Sequence, residues 1–206
     1  MGDMENTNTD TPTKPIELDK CNLDLAAEIQ RRSGVNINMC WHCMTCTNGC
    51  PFSQAMDYPP NSVIRFAQLG LKREALENSG IWICVGCNTC SIQCPNAIDI
   101  SAVNDTLRQM AIEEGAAIAA PDILNFHREV IHSIERYGRA NKLEIMMRYK
   151  LKSRDWFTDA ILGIKMLIKH KLELLPSKIR SIGDMKRIFK PKPMGKSHAG
   201  PKAKEC

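Results

Sequence analysis

Eight of the chain's ten cysteines fall into two short blocks. The first runs Cys40-Trp-His-Cys43-Met-Thr-Cys46-Thr-Asn-Gly-Cys50-Pro51, and the second Cys84-Val-Gly-Cys87-Asn-Thr-Cys90-Ser-Ile-Gln-Cys94-Pro95. Both read C-x₂-C-x₂-C-x₃-C-P, a spacing that holds cubane 4Fe–4S clusters through thiolates. Three thiolates two residues apart wrap a tight loop around three corners of one cubane. The fourth lies past a short turn, and the proline restricts the residue before it and steers the chain away. That cysteine reaches the other cluster. The spacing therefore assigns Cys40, Cys43, Cys46 and Cys94 to cluster 1, and Cys84, Cys87, Cys90 and Cys50 to cluster 2. Each cluster would tie both blocks together, so metal binding and folding are expected to be coupled.

Other uses of these cysteines fit poorly. A zinc site pairs two C-x₂-C knuckles over a longer gap and gains nothing from a fourth cysteine followed by proline. A disulfide scaffold suits a smaller, secreted chain. Between the ligands stand small or polar residues, Thr45, Thr47, Gly49, Gly86, Asn88 and Thr89, which let backbone N–H groups approach cluster sulfurs and tune the potential. Trp41 and Trp82 are read as shields against water. His42 is read either as a proton-linked modulator or as a surface neighbour. Cys21 and Cys206 fall outside the pattern and are expected to be free thiols, buried and exposed respectively.

The elements that must position the blocks read as helices. Residues 18–33 carry Leu23, Leu25, Ala26 and Ile29 and stop at Gly34. Pro59-Pro60-Asn61 signals a helix start, with Asn61 or Ser62 as cap, and Val63, Ile64, Phe66, Ala67 and Leu69 follow before Gly70. A short helix over 72–77 leads to the second block. Beyond it, Ile100, Val103, Leu107 and Met110 recur at helical spacing behind a cap at Asp99 or Ser101, and Gly115 closes the element. Pro121-Asp122 opens the next, with a stripe of Ile123, Phe126, Val130, Ile134 and Tyr137 before Gly138. Residues 159–175 alternate apolar residues with lysines up to Pro176. No strand shows period-2 alternation, so the class is mostly α.

Composition agrees. Aromatic residues are 5% of 206, thin for a sheet-based core, while apolar residues are 43%. Residues 1–138 carry ten Lys and Arg against seventeen Asp and Glu, a net −7, whereas 139–190 carry fourteen against five, a net +9. This split suggests an acidic cluster-bearing part and a basic docking part. The domain reading is a disordered leader over 1–16, a cluster domain over 17–138, a basic helical extension over 139–190 and a flexible tail over 191–206. No secretory signal and no membrane-length apolar run is present, so a cytoplasmic protein with reduced cysteines is expected. A basic nucleic-acid-binding metalloprotein ranks low, because the basic stretch has few aromatics and no binding motif. No G-x-G-x-x-G or P-loop marks a nucleotide or flavin site.

Two cubane motifs joined by Pro-Pro-Asn-Ser-Val-Ile-Arg-Phe-Ala-Gln-Leu-Gly, with an Ile-Trp-Ile-Cys lead-in, resemble the C-type iron–sulfur subunit of heterodisulfide reductase, over roughly residues 33–189. The resemblance implies an α-helical ferredoxin fold with two 4Fe–4S clusters and a C-terminal helical extension. It also implies a methanogenesis-related role. Single electrons would pass from the A-type, flavin-containing iron–sulfur subunit to the B-type catalytic subunit, which reduces a disulfide such as that of coenzymes M and B. A hydrogenase or formate dehydrogenase in a larger complex would be a further partner. No Cys-Cys pair of the kind found in the catalytic subunit occurs here, so no catalytic residue is assigned and the disulfide-cleaving site is expected on the partner. The rival families are the iron–sulfur subunits of succinate dehydrogenase or fumarate reductase, and of glycolate oxidase-like complexes. The first of these needs a plant-type 2Fe–2S domain, and only Cys21 precedes Cys40.

Overall fold

A computed structural model describes residues 21–153, 179 and 182–189. The expected leader, Trp156 and Phe157 of the expected docking stretch, the helix over 159–175, the tail and Cys206 lie outside the described residues. Those described form helices α1 (Leu25–Ser33), α2 (Thr45–Asn48), α3 (Pro60–Gln68), α4 (Lys72–Leu76), α5 (Gly80–Ile83), α6 (Thr89–Gln93), α7 (Ile100–Glu114), α8 (Pro121–Tyr137), α9 (Lys142–Ser153) and α10 (Ile182–Phe189). No β-strand occurs among the described residues, and the mostly α class holds.

The core lies between α1, α3, α4, α5 and α7. Leu25 and Ile29, Val63, Ile64 and Ala67, Ala75 and Leu76, Ile81 and Trp82, and Val103, Leu107 and Met110 meet there, all buried. Each fully buried aliphatic contributes about 1.5–3 kcal/mol. The apolar positions of α7 are those that the helical spacing predicts, as is its cap: the Asp99 side chain accepts from the Ala102 N–H at 3.1 Å. Helix α1 starts later than the periodicity suggests. The Asn22 side chain accepts from the Asp24 N–H, which makes a turn of residues the pattern assigns to helix, and Leu23 is exposed. Gly70, at φ +71°, lies against the Asn22 backbone, so any Cβ there would collide.

Two further anchors hold the segments that flank the blocks. The Asp57 carboxylate accepts from the backbone N–H groups of Ser79 and Gly80 and from the Ser79 hydroxyl, tying the chain after the first block to the start of α5. Buried Asn78 donates to the carbonyls of Glu74 and Ala75 and accepts from the Ile81 N–H.

Helices α8, α9 and α10 pack together beside this core. Asn141 caps α9 by accepting from the Leu143 and Glu144 N–H groups. The expected stripe on α8 is only half-buried, and Phe126 is exposed beside Tyr149. The buried positions are Leu124, Glu129 and Ser133, because α8 faces the core at one end and α9 and α10 along its length. No helix among the described residues is long and apolar enough to cross a membrane.

Candidate metal centre

Each cysteine block folds as a loop followed by a single helical turn. Two backbone positions make the bend. His42 and Gly86 occupy the same place in the two blocks and both have positive φ, +56° and +65°. Met44 and Asn88 form the second such pair, at +63° and +59°, and cap α2 and α6. Glycine takes this region freely and asparagine tolerates it, but histidine and methionine do so at a cost of order 1 kcal/mol each. The second block carries a readable signal for this bend in Gly86 and Asn88. The first block carries none.

The residue after the third cysteine ties each block to the helix beyond it. The Thr47 hydroxyl donates to Asn61 Oδ1 at 2.6 Å and accepts from the Asn61 N–H, so it caps α3 from outside. The expected cap, Asn61 or Ser62, instead lies within the first turn, and Pro59 precedes the helix. The Ser91 hydroxyl does the same for α7, accepting from the Ile100 N–H at 3.1 Å and donating to Asp99. Gly49 and Gln93, each one residue before a fourth cysteine, are packed against one another, and a Cβ on Gly49 would run into the Gln93 amide.

Two cavities of like size result. Cys40, Cys43, Cys46 and Cys94 line the first, with Trp41, His42 and Ile64 among its other walls. Cys84, Cys87, Cys90 and Cys50 line the second, with Phe52, Ser101 and Asn104. All eight cysteines are thiols, and no charged side chain lines either cavity. Among the described residues no three His, Cys, Asp or Glu side chains converge tightly enough for a single ion. The sulfurs surround a space rather than a point, and four soft donors around a space suit an iron–sulfur cubane. A buried, unpartnered amide oxygen on Asn104, at the wall of the second cavity, marks a polar group in want of a neighbour there.

The thiols differ in acidity by position, in the same way in both blocks. Hydrogen bonds with Thr45 and Thr89, through hydroxyl and backbone, hold the exposed Cys43 and Cys87 thiols below their ordinary value. The hydroxyls lie 3.3 and 3.5 Å from the sulfurs. Burial pushes Cys46 and Cys90 up, with Thr47 and Ser91 opposing.

The aromatic neighbours separate. Trp41 is 74% exposed at the rim of the first cavity, whereas Trp82 is buried in the core and lines neither. His42 lines the first cavity; its Nε2 lies 2.7 Å from Gln68 Oε1, and the Gln68 amide donates to the Ile37 carbonyl. Gln68 therefore offers an oxygen, and His42 Nε2 carries the proton. Cys21 is disulfide-bonded, against the expectation of a free thiol; a lone cysteine ahead of the motif gives no sequence signal for a bonding partner.

The charge pattern around the cavities refines the acidic reading of residues 1–138. Residues 33–56 and 78–98, which contain both blocks, have no Asp, Glu, Lys or Arg at all. On these loops Met39, Trp41, Met44, Phe52, Val85 and Ile92 are exposed. The acidic residues are elsewhere, and the cavities open on neutral, apolar rims.

Known proteins resemble this chain in sequence. A family model for a 4Fe–4S dicluster domain matches residues 36–98. The chain is 30% identical over 147 residues to the C-type iron–sulfur subunit 2 of the CoB–CoM heterodisulfide reductase of Methanocaldococcus jannaschii, covering 66% of this chain and 75% of that one. It is 32% identical over 98 residues to the C-type subunit of the H(2):CoB–CoM heterodisulfide,ferredoxin reductase of Methanothermobacter thermautotrophicus, covering 47% and 53%. It is 28% identical over 117 residues to the C-type subunit of the ferredoxin:CoB–CoM heterodisulfide reductase of Methanosarcina mazei, covering 57% and 68%. It thus spans three quarters of the first relative and about half of the second. A dicluster domain within subunits of hetero-oligomeric reductases supports 4Fe–4S clusters and an iron–sulfur electron-transfer role. By its cysteine blocks, its helical scaffold and the length of its match to the first relative, the chain belongs to the family of C-type iron–sulfur subunits of heterodisulfide reductase.

Proposed function

We propose that this chain relays single electrons through two 4Fe–4S clusters, from a flavin-containing subunit to a catalytic subunit that reduces a heterodisulfide of the CoM-S-S-CoB type. The observation that carries the reading is the lining of the cavities: three cysteines from one block and the fourth from the other, twice over. Cys40, Cys43, Cys46 and Cys94 would hold one cluster, and Cys84, Cys87, Cys90 and Cys50 the other. When bound, such clusters supply reversible one-electron storage.

The chain's own residues do the rest. Four cysteines per cubane fill every iron's protein position, so substrate sulfur has no place to bind here, and the two-electron cleavage of a disulfide belongs to the partner. Thr45 and Thr89 favour the thiolate form of the ligands beside them. The uncharged rims carrying Trp41 and Ile92 are the faces that meet partner subunits, since interface cores are depleted in charge and enriched in aromatics and methionine. The basic stretch over 139–190 is a second docking region, toward the catalytic partner.

Anaerobic metal analysis with EPR of the reduced protein tests this. Eight iron and eight sulfide per chain are expected. Stoichiometric zinc, or a 2Fe–2S spectrum from the protein as isolated, would overturn it.

A further inference from the structure

The two cavities share one plan, and the plan is broken at one position. The second and fifth residues of α3, Asn61 and Ile64, line the first cavity; the second and fifth of α7, Ser101 and Asn104, line the second. The first residue of each helix, Pro60 or Ile100, lines the opposite cavity. Asn104 therefore stands where the first cavity has Ile64. Both side chains are buried, at 3% and 1% exposure.

Asn104 Oδ1 is buried with no hydrogen-bond partner. A buried amide left unsatisfied costs about 1–3 kcal/mol, so a native interior keeps one only where something else completes it. The space this side chain borders is the second cavity. Four thiolates and the bridging sulfides make that site negative once loaded, and a negative site repels an amide oxygen and attracts an amide N–H. The two ends of the amide are nearly the same shape and can exchange by rotation. Around the first cavity, Asn61 Oδ1 accepts from Thr47, the Asn96 amide donates to the Met39 carbonyl, and His42 Nε2 donates to Gln68. The threonine–cysteine contacts are the same in both blocks and cancel in any comparison.

From this asymmetry we infer that Asn104 donates an N–H···S hydrogen bond to the second cluster and makes it the easier of the two to reduce. Reduction adds negative charge to the site, and a donor aimed at it stabilises the reduced state more than the oxidised one. Ile64 offers the first cluster nothing comparable. The chain then has a built-in direction, from the cluster of the Cys40 block toward the cluster of the Cys84 block. The inference rests on the two-cluster reading above.

The test is a redox titration of the full chain, followed by EPR, in the native protein and in Asn104→Leu. Iron and sulfide are counted first: a native protein without two 4Fe–4S clusters sinks the two-cluster reading itself. With both present, Asn104→Leu is expected to shift the electron partition between the clusters at least tenfold toward the first, a fall of about 59 mV or more in one midpoint with the other unmoved. The shifted signal is identified by Cys87→Ser, which perturbs the second cluster alone. Equal shifts of both midpoints, or none, overturn the inference. Should Asn104→Leu lose its cluster, Ile64→Asn decides the matter: the first midpoint rises if a buried amide at this position tunes the site, and stays put if it does not.

Discussion

The Arg108 guanidinium on α7 donates to the backbone carbonyl of Cys84, and through Nε to that of Ile81. One largely buried side chain thus fixes the entry to the second block, and Asp105 steadies it at 2.9 Å. Arg108→Met keeps the apolar stem and removes every donor. A loss of about 1.5–3 kcal/mol in denaturant unfolding is expected, the range for hydrogen bonds involving a charged group. Under mild chelation the variant should release the second cluster before the first, leaving about half of the iron. Unchanged stability and iron retention would show the anchor to be idle.

The crossover of ligands has its own test. Cys94 lies in the second block by sequence but lines the first cavity. Cys94→Ala should remove or convert the EPR signal of the cluster held by Cys40, Cys43 and Cys46, and leave its sequence neighbours' cluster intact. Selective loss of the Cys84–Cys90 signal would refute the assignment.

His127 gives a pH dependence. Burial and the nearby positive charge of Arg108 hold its ring below the ordinary histidine value, with Asp105 opposing. The unfolded chain therefore takes up a proton at a higher pH than the folded chain does. Stability from this group is complete above pH ~6.5 and falls as the pH drops through the depressed folded value. His127→Gln should flatten the stability profile on the acid side of pH ~6.5, measured by denaturant midpoints across that range. A profile as steep as the native one would exclude His127 as its source.

Much of the site was legible because cysteine spacing is a local property. Helices α3, α7 and α8 were legible in extent too, since start residues and closing glycines are short-range signals, though the apolar period marks the buried face of α7 and not that of α8. What escaped sequence reading depends on tertiary neighbours. Asn61 looks like a cap, but Thr47 takes that role from another element, and Ser91 repeats the arrangement. Trp82 is placed by sequence beside a cluster, yet α5 turns it into the core against α7. Asn104 sits on the buried face of α7 between Val103 and Leu107, and a polar residue on an apolar face was the one signal there to be read. The left-handed bends at His42 and Met44 leave no trace in residue type.

Docking divides into two measurable parts. Trp41→Ser should weaken binding of purified partner subunits at least tenfold, at low and high salt alike, without changing the iron content, because a buried aromatic anchor carries much of an uncharged contact. Truncation before Arg139 removes α9, α10 and the basic stretch but none of the residues lining either cavity. The truncated chain should keep both clusters and fail to assemble. An active complex from it would remove the extension's docking role.

The shared plan of the two cavities has a consequence for descent. One block with its following helix has only three of the four cysteines that line its own cavity, so it could complete a site only by facing a second copy of itself. In such a pair the two sites would be identical, and every substitution would alter both at once. Joining the halves in one polypeptide frees them to diverge, so that His42 can stand opposite Gly86 and Ile64 opposite Asn104.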